Sequence, residues 1–209
     1  MTSNESYIFL AVFAALALIA LIYLLSPMSL PDEPLLYLIG VNHAVQFKDA
    51  QTQMLPAWEP ESVRKTREAF KAHVAEMIDT LDIEILAEEF SEEAKTRWRV
   101  SESVLERLAK TKGIEHRFCD PDTKEREALG IEDPDSKHGR AQREQVWLSR
   151  IADCKLRRVL FVCGDEHYAD FAQLLESNGF NVQRGPLYPI SVREFVDLER
   201  TSPDVSPRR

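Results

Sequence analysis

Short, densely apolar runs recur along this chain, and they constrain its fold more than any other feature. Leu35–Gly40 (LLYLIG) and Val159–Cys163 (VLFVC) are apolar from end to end, and Ile83–Ala87 (IEILA) carries one charge. Runs of five or six residues are too short for buried helices. A strand with water on one face would alternate polar with apolar residues, and these do not. They read as strands covered on both faces, as in a parallel sheet. His116–Cys119 and Phe180–Gln183 are weaker strand candidates, the latter at an edge.

Helical patterns fill the gaps. From Glu61 to about Leu81, residues Phe70, Val74, Met77, Ile78 and Leu81 share one helical face. Ser91 is placed to cap a helix with Glu92 and Glu93 in its first turn. That pattern continues to about Lys112, with a break near Ser101, and stops at Gly113. Residues 123–129 form a short helix ended by Gly130. Arg140–Ala152 turns Val146, Trp147 and Ile151 inward, and 166–178 does the same with Tyr168, Phe171, Ala172 and Leu175. Residues 44–60 and 131–139 read as loops, the first long enough for a lid. The stretch after the last strand, GPLYPISVREF, reads as irregular. Strand and helix alternate, so the expected class is α/β, a mainly parallel sheet with helices on both faces and right-handed crossovers.

A different element precedes this domain. Tyr7–Leu25 is 19 residues without a charge, which as a helix spans roughly 28 Å, close to the hydrocarbon thickness of a bilayer. Tyr7 and Tyr23 sit near its ends, where aromatic residues anchor at interfaces. The leading MTSNES has no Lys or Arg and no small-x-small cleavage pattern follows, which argues against a cleaved signal peptide. The expected organisation is a tail at 1–6, a single transmembrane anchor at 7–25, a proline-rich linker at 26–34, the α/β domain at 35–200 and a disordered polar tail at 201–209. The flanks hold too few Lys or Arg to set orientation. Three cysteines, an odd number with no CxxC pair, lean toward a reducing compartment, so the cytoplasmic side is favoured. A net charge of −9 gives no basic footprint for nucleic acid.

In parallel sheets, ligands bind beyond the carboxyl ends of the strands. The first strand is followed by Gly40-Val-Asn-His43, the second by Glu88-Glu89, the third by Asp120 and Asp122, and the fourth by Gly164-Asp-Glu-His167. All four sets fall on one edge. Gly40 and Gly164 suit a sharp turn, through positive φ or a close backbone approach. Two imidazoles and a carboxylate suit a divalent metal, with His43, Glu89 and His167 as ligands. A metal-bound water would have its pKa lowered from ~15.7 toward ~7. Without a metal, His43, Glu88, Glu89 and His167 would still serve as general acid and base. Asp120 and Asp122 would orient the histidines from behind. Arg126, Arg143 and Glu144 could anchor a substrate but read rather as a solvated helix face, and His73, His116 and His138 as incidental. Cys119 and Cys163 read as buried thiols.

The order Gly40-x-x-His43, Glu88-Glu89, Gly164-x-x-His167 resembles the TraB/TIKI superfamily, which includes erythromycin-esterase-like and haem-binding ChaN-like proteins. The resemblance spans about residues 35–185 in motif order. It implies an α/β fold with a site made by His43, His167 and one of Glu88 and Glu89, and Arg126 in the family's basic role. It also implies metal-dependent peptidase or esterase-like hydrolysis. The expected function is a membrane-anchored hydrolase, metal-assisted, acting on a small-molecule or peptide substrate. The alternative is a non-catalytic, membrane-tethered module that binds a small ligand or haem, with His43 or His167 as axial ligand.

Overall fold

The structure is a computed structural model that describes residues 35–47, 61–98 and 100–188. The anchor, linker and polar tail expected at the two ends lie outside the described residues. Among the described residues no helix is long and apolar enough to cross a membrane.

Among the described residues five strands form one all-parallel sheet. They are β1 (Leu36–Val41), β2 (Ile85–Glu88), β3 (Glu115–Phe118), β4 (Val159–Gly164) and β5 (Val182–Tyr188), in the spatial order β3-β2-β4-β1-β5. The helices are α1 (His43–Phe47), α2 (Glu61–Thr80), α3 (Glu92–Trp98), α4 (Val104–Lys112), α5 (Thr123–Ala128), α6 (Lys137–Ile151) and α7 (Tyr168–Ser177). Every residue of β1, β2 and β4 is buried. That is the physical content of their largely apolar character, which in β2 is interrupted by Glu88 at its end, since each strand has cover on both faces.

Strand alternation sorts the core in two. On one face Leu36, Leu38, Ile85, Ala87, Val159 and Phe161 pack under Trp147 and Ile151 of α6 and Phe171 and Leu175 of α7. On the other, Tyr37, Ile39, Leu86, Leu160 and Val162 meet Val45 of α1, Phe70 and Val74 of α2, and Leu105 and Ala109 of α4.

Helix boundaries follow local capping chemistry. Ser103 caps α4 in a reciprocal capping box with Glu106, and Gly113 ends that helix in the left-handed conformation. Asp122 and Glu125 form the same box at α5. Ser136 caps α6, so that helix starts at Lys137, three residues before the position its apolar spacing suggested. Two further expectations are corrected. Residues 43–47 are helical rather than the start of a loop. The fifth strand begins at Val182 and runs to Tyr188 through the supposedly irregular Gly185-Pro186. Edge position explains this: among the described residues β5 pairs only with β1, through a register irregularity between Leu38 and Gly40, so a proline is tolerated there.

One consequence of the topology places the site. From β1 the chain leaves toward α1 and α2 on one face. From β4, its neighbour, the chain leaves toward α7 on the other face. The chain parts company at the carboxyl ends of these adjacent strands, and this switch point is where open parallel sheets form a crevice.

Candidate active site

His43 opens α1 just past β1, and His167 immediately precedes α7 just past β4. Glu89 follows β2 and is tied to the middle of the sheet by its own N–H, which donates to the Val162 carbonyl at 2.9 Å. The three side chains meet on one atom. Glu89 Oε1 lies 3.7 Å from His43 Nε2 and 3.5 Å from His167 Nε2. The other carboxylate oxygen, Oε2, accepts the Gly164 N–H at 2.6 Å. The juxtaposition expected from the sequence is therefore present for His43, Glu89 and His167.

Two residues of α6 complete the cluster, and both were read from sequence as a solvated face. Arg143 Nη2 donates to Glu89 Oε1 at 2.5 Å, and its Nε donates to Asp120 Oδ1 at 2.8 Å. Arg143 Nη1 lies 3.3 Å from His167 Nε2, and Glu144 Oε1 lies 2.7 Å from His167 Nδ1. A guanidinium only donates and a carboxylate only accepts. When His167 carries a single proton, that proton is therefore on Nδ1, facing Glu144. Trp147, one turn on, donates its indole N–H to Asp120 Oδ1 at 3.1 Å and sets its ring edge-on to His167 at 4.7 Å. The signal that could have found Arg143 and Glu144 was helical spacing: they stand four and three residues before the inward Trp147, on the same stripe.

The remaining sequence candidates go elsewhere. Glu88 lies on the opposite face of the sheet from Glu89 and is fully buried there with Gln46, Ser103 and His116. A two-residue strand period makes this unavoidable, since neighbours in a strand cannot both face one site. Asp122 caps α5. Arg126 bonds the Pro121 carbonyl and Thr123 Oγ1, and comes no nearer to Asp120 than 3.8 Å. The guanidinium in the cluster is that of Arg143 and not that of Arg126. Asp120 orients Arg143 and Trp147, and the group bonded to a histidine from behind is Glu144. His116, read as incidental, is bonded to Glu88 at 2.8 Å.

Gly164 is required by closeness rather than by a turn, since its φ is not positive. A Cβ at Gly164 would sit 3.1 Å from both Glu89 Oε2 and His43 Nε2. Gly40 is similar, because a Cβ there would fall 2.3 Å from Leu187 Cδ2. Gly164→Ala is expected to cost about 1–3 kcal/mol by overpacking and to push His43 off Glu89. Denaturant titration and the His43 ring resonances check this, and a variant as stable as wild type with those resonances unmoved would contradict it.

Burial alone would raise the Glu89 carboxyl. The facing imidazoles of His43 and His167, the Arg143 guanidinium and the Gly164 N–H outweigh it and hold Glu89 below its ordinary 4.5. Asp120 moves the other way, raised by burial and by the charge of Glu89 against the pull of Arg143. Arg143 is raised, because its two carboxylates outweigh its own desolvation. Burial pushes the Cys119 thiol up to about 12 and Cys163 well above its ordinary value, so neither is a thiolate at neutral pH.

The depressed Glu89 has a thermodynamic consequence. A carboxyl lower in the folded than the unfolded state adds stability above the unfolded value and loses it as pH falls through the folded one. Glu89→Gln is accordingly expected to flatten the loss of unfolding free energy below pH 4.5. Denaturant melts between pH 2 and 6 test this (~2 and ~6 bracket the carboxylate range). An acid limb as steep as that of the wild type would refute the assignment.

A divalent metal needs the inward lone pairs of His43, His167 and Glu89 together. Arg143 already sits against two of these atoms, Glu89 Oε1 and His167 Nε2, with a fixed positive charge. Among the described residues no three His, Cys, Asp or Glu gather closely enough to hold an ion. As arranged, the guanidinium of Arg143 occupies the side of Glu89 Oε1 and His167 Nε2 that an ion would need, and the four groups form one acid–base cluster.

No family model, curated protein or solved structure matches this chain.

Proposed function

We propose that the chain is a hydrolase held at a membrane by Tyr7–Leu25, and that it cleaves an acyl bond by histidine acid–base catalysis. The observation that carries this reading is the meeting of His43 Nε2 and His167 Nε2 on Glu89 Oε1 at the sheet's switch point. The TraB/TIKI resemblance of Gly40-x-x-His43 and Gly164-x-x-His167 supports the same reaction class.

The roles divide by exposure and bonding. Glu89 is fully ionised at neutral pH and surrounded by donors, which suits it to hold charge rather than to exchange protons. His167 is buried between Glu144 and Arg143. The His43 side chain is 42% exposed, so a substrate can reach it. His43 Nε2 takes a proton from water as the water oxygen bonds to the acyl carbon and the carbonyl π pair moves to oxygen. Glu89 balances the imidazolium, whose Nε2 faces it. The tetrahedral intermediate then collapses: the carbonyl re-forms, the bond to the leaving oxygen or nitrogen breaks, and His43 returns its proton to that atom. Arg143, already neutralised by Glu89 and Asp120, fixes the geometry of the cluster.

The experiment is hydrolysis of an ester and peptide panel by the full chain, in wild type and in His43→Ala and Glu89→Gln. Turnover lost in both variants supports the reading. Turnover unchanged in either removes it. The ligand-binding reading is checked on the same sample by haem titration: a Soret band dependent on His43 or His167, with no turnover, replaces catalysis by binding.

A further inference from the structure

We propose that Gln46 is the positioning residue that sets His43 over Glu89, with Glu88 as its anchor. Helix α1 has five residues, far too few to be stable alone. Its start is held by the Asn42 N–H on the Tyr188 carbonyl at 3.1 Å, and its orientation about that point comes from side chains that grip the body of the domain. Val45 packs among the apolar residues beneath α2. Gln46 is fully buried and donates Nε2–H to Glu88 Oε2 at 2.8 Å. His43 stands three residues before Gln46, so the two are neighbours on one side of the helix.

Glu88 is built as an anchor. Its carboxylate accepts Gln46 from α1 and the Ser103 hydroxyl from the start of α4, and it lies 2.8 Å from His116 Nε2 of β3. Three separate elements are thereby tied to the end of β2. Strand alternation puts Glu88 beneath α1 and Glu89 in the crevice, one peptide apart. That peptide fixes the distance between the point where α1 is held and the carboxylate that His43 must face. A leucine would fill the space of Gln46 without burying an amide, which is costly to desolvate. The amide supplies direction, which an apolar contact does not. The consequence for turnover rests on the acid–base reading of His43; the placement of His43 does not.

The test uses the full chain labelled at His and Gly, with a readout independent of activity. His43 Cε1 lies 3.3 Å from where a Gly164 Cβ would be, so a nuclear Overhauser contact between the His43 ring and Gly164 Hα is expected. Gln46→Met should lose most of that contact while keeping the one between the Trp147 and His167 rings, which are 4.7 Å apart. Ser103→Ala, which removes another bond to Glu88 without touching α1, should keep both. Retention of the His43 contact in a folded Gln46→Met protein overturns the proposal. So does its equal loss in Ser103→Ala, which would mark general loosening. Should Gln46→Met not fold, Gln46→Asn withdraws the amide by one methylene, and an undiminished His43 contact there overturns it equally. If hydrolysis is found, kcat should fall about tenfold to a hundredfold with KM unchanged. If none is found in wild type, the hydrolase reading fails and the positioning result still stands or falls on the ring contacts.

Discussion

Arg143→Met is expected to lower the unfolding free energy at pH 7 by about 3–5 kcal/mol, the cost of leaving buried charge without its partner. The wild-type guanidinium serves one buried carboxylate, Glu89 through Nη2, and one part-buried carboxylate, Asp120 through Nε. Methionine fills much of the volume, so cavity formation is a minor part of the loss and electrostatics decides it. The variant should therefore show a pH signature. Without Arg143, both carboxyls titrate higher and take up protons that relieve them. The deficit against wild type should shrink as pH falls toward 4 (~3.9 and ~4.3 are the unperturbed Asp and Glu values). Arg143→Lys should lie between, since one ammonium point charge cannot bond both carboxylates as the planar fork does. Denaturant titrations of the three proteins at pH 7 and pH 4 measure this. A deficit independent of pH would mean that Arg143 acts through packing.

His43→Ala is expected to reduce hydrolytic turnover by about 10²–10⁴, the contribution of a positioned general base, while leaving the fold nearly untouched. The contrast with Arg143 comes from burial. The His43 side chain is half exposed, so its loss is expected to act on the reaction more than on stability. His167→Ala should do both, because it also strands Glu144 opposite an empty position in the core, in contact with Trp147. Steady-state kinetics with thermal melts separates the two. Metal analysis of the same proteins adds an independent check. Stoichiometric divalent metal in wild type that is lost in His43→Ala would overturn the metal-free assignment and mean that Arg143 moves aside on loading.

The carboxyl-edge site was legible in part because its determinants are local. Gly40-x-x-His43 and Gly164-x-x-His167 each follow an apolar strand, and a parallel sheet delivers such segments to one edge. Glu89 was found with them, while its neighbour Glu88 lies away from the cluster with Gln46, Ser103 and His116, as the alternation of faces along a strand requires. Arg143 and Glu144 were missed because their surroundings come from across the molecule. On α6 alone they look like any solvated charged pair. They are buried because α6, through Trp147 and Ile151, joins the apolar cluster of β2 and β4.

The sequence by itself determined the elements and their class: strands greasy on both sides, helices with defined caps, and hence a parallel sheet whose carboxyl edge gathers polar side chains. Those properties depend on residues within a few positions of each other. Only the tertiary structure decided the strand order β3-β2-β4-β1-β5, the seat of Arg143 between Glu89 and Asp120, and the split of Glu88 from Glu89 into anchor and site. Those outcomes depend on which helix covers which face, and that is settled by packing between residues far apart in the chain.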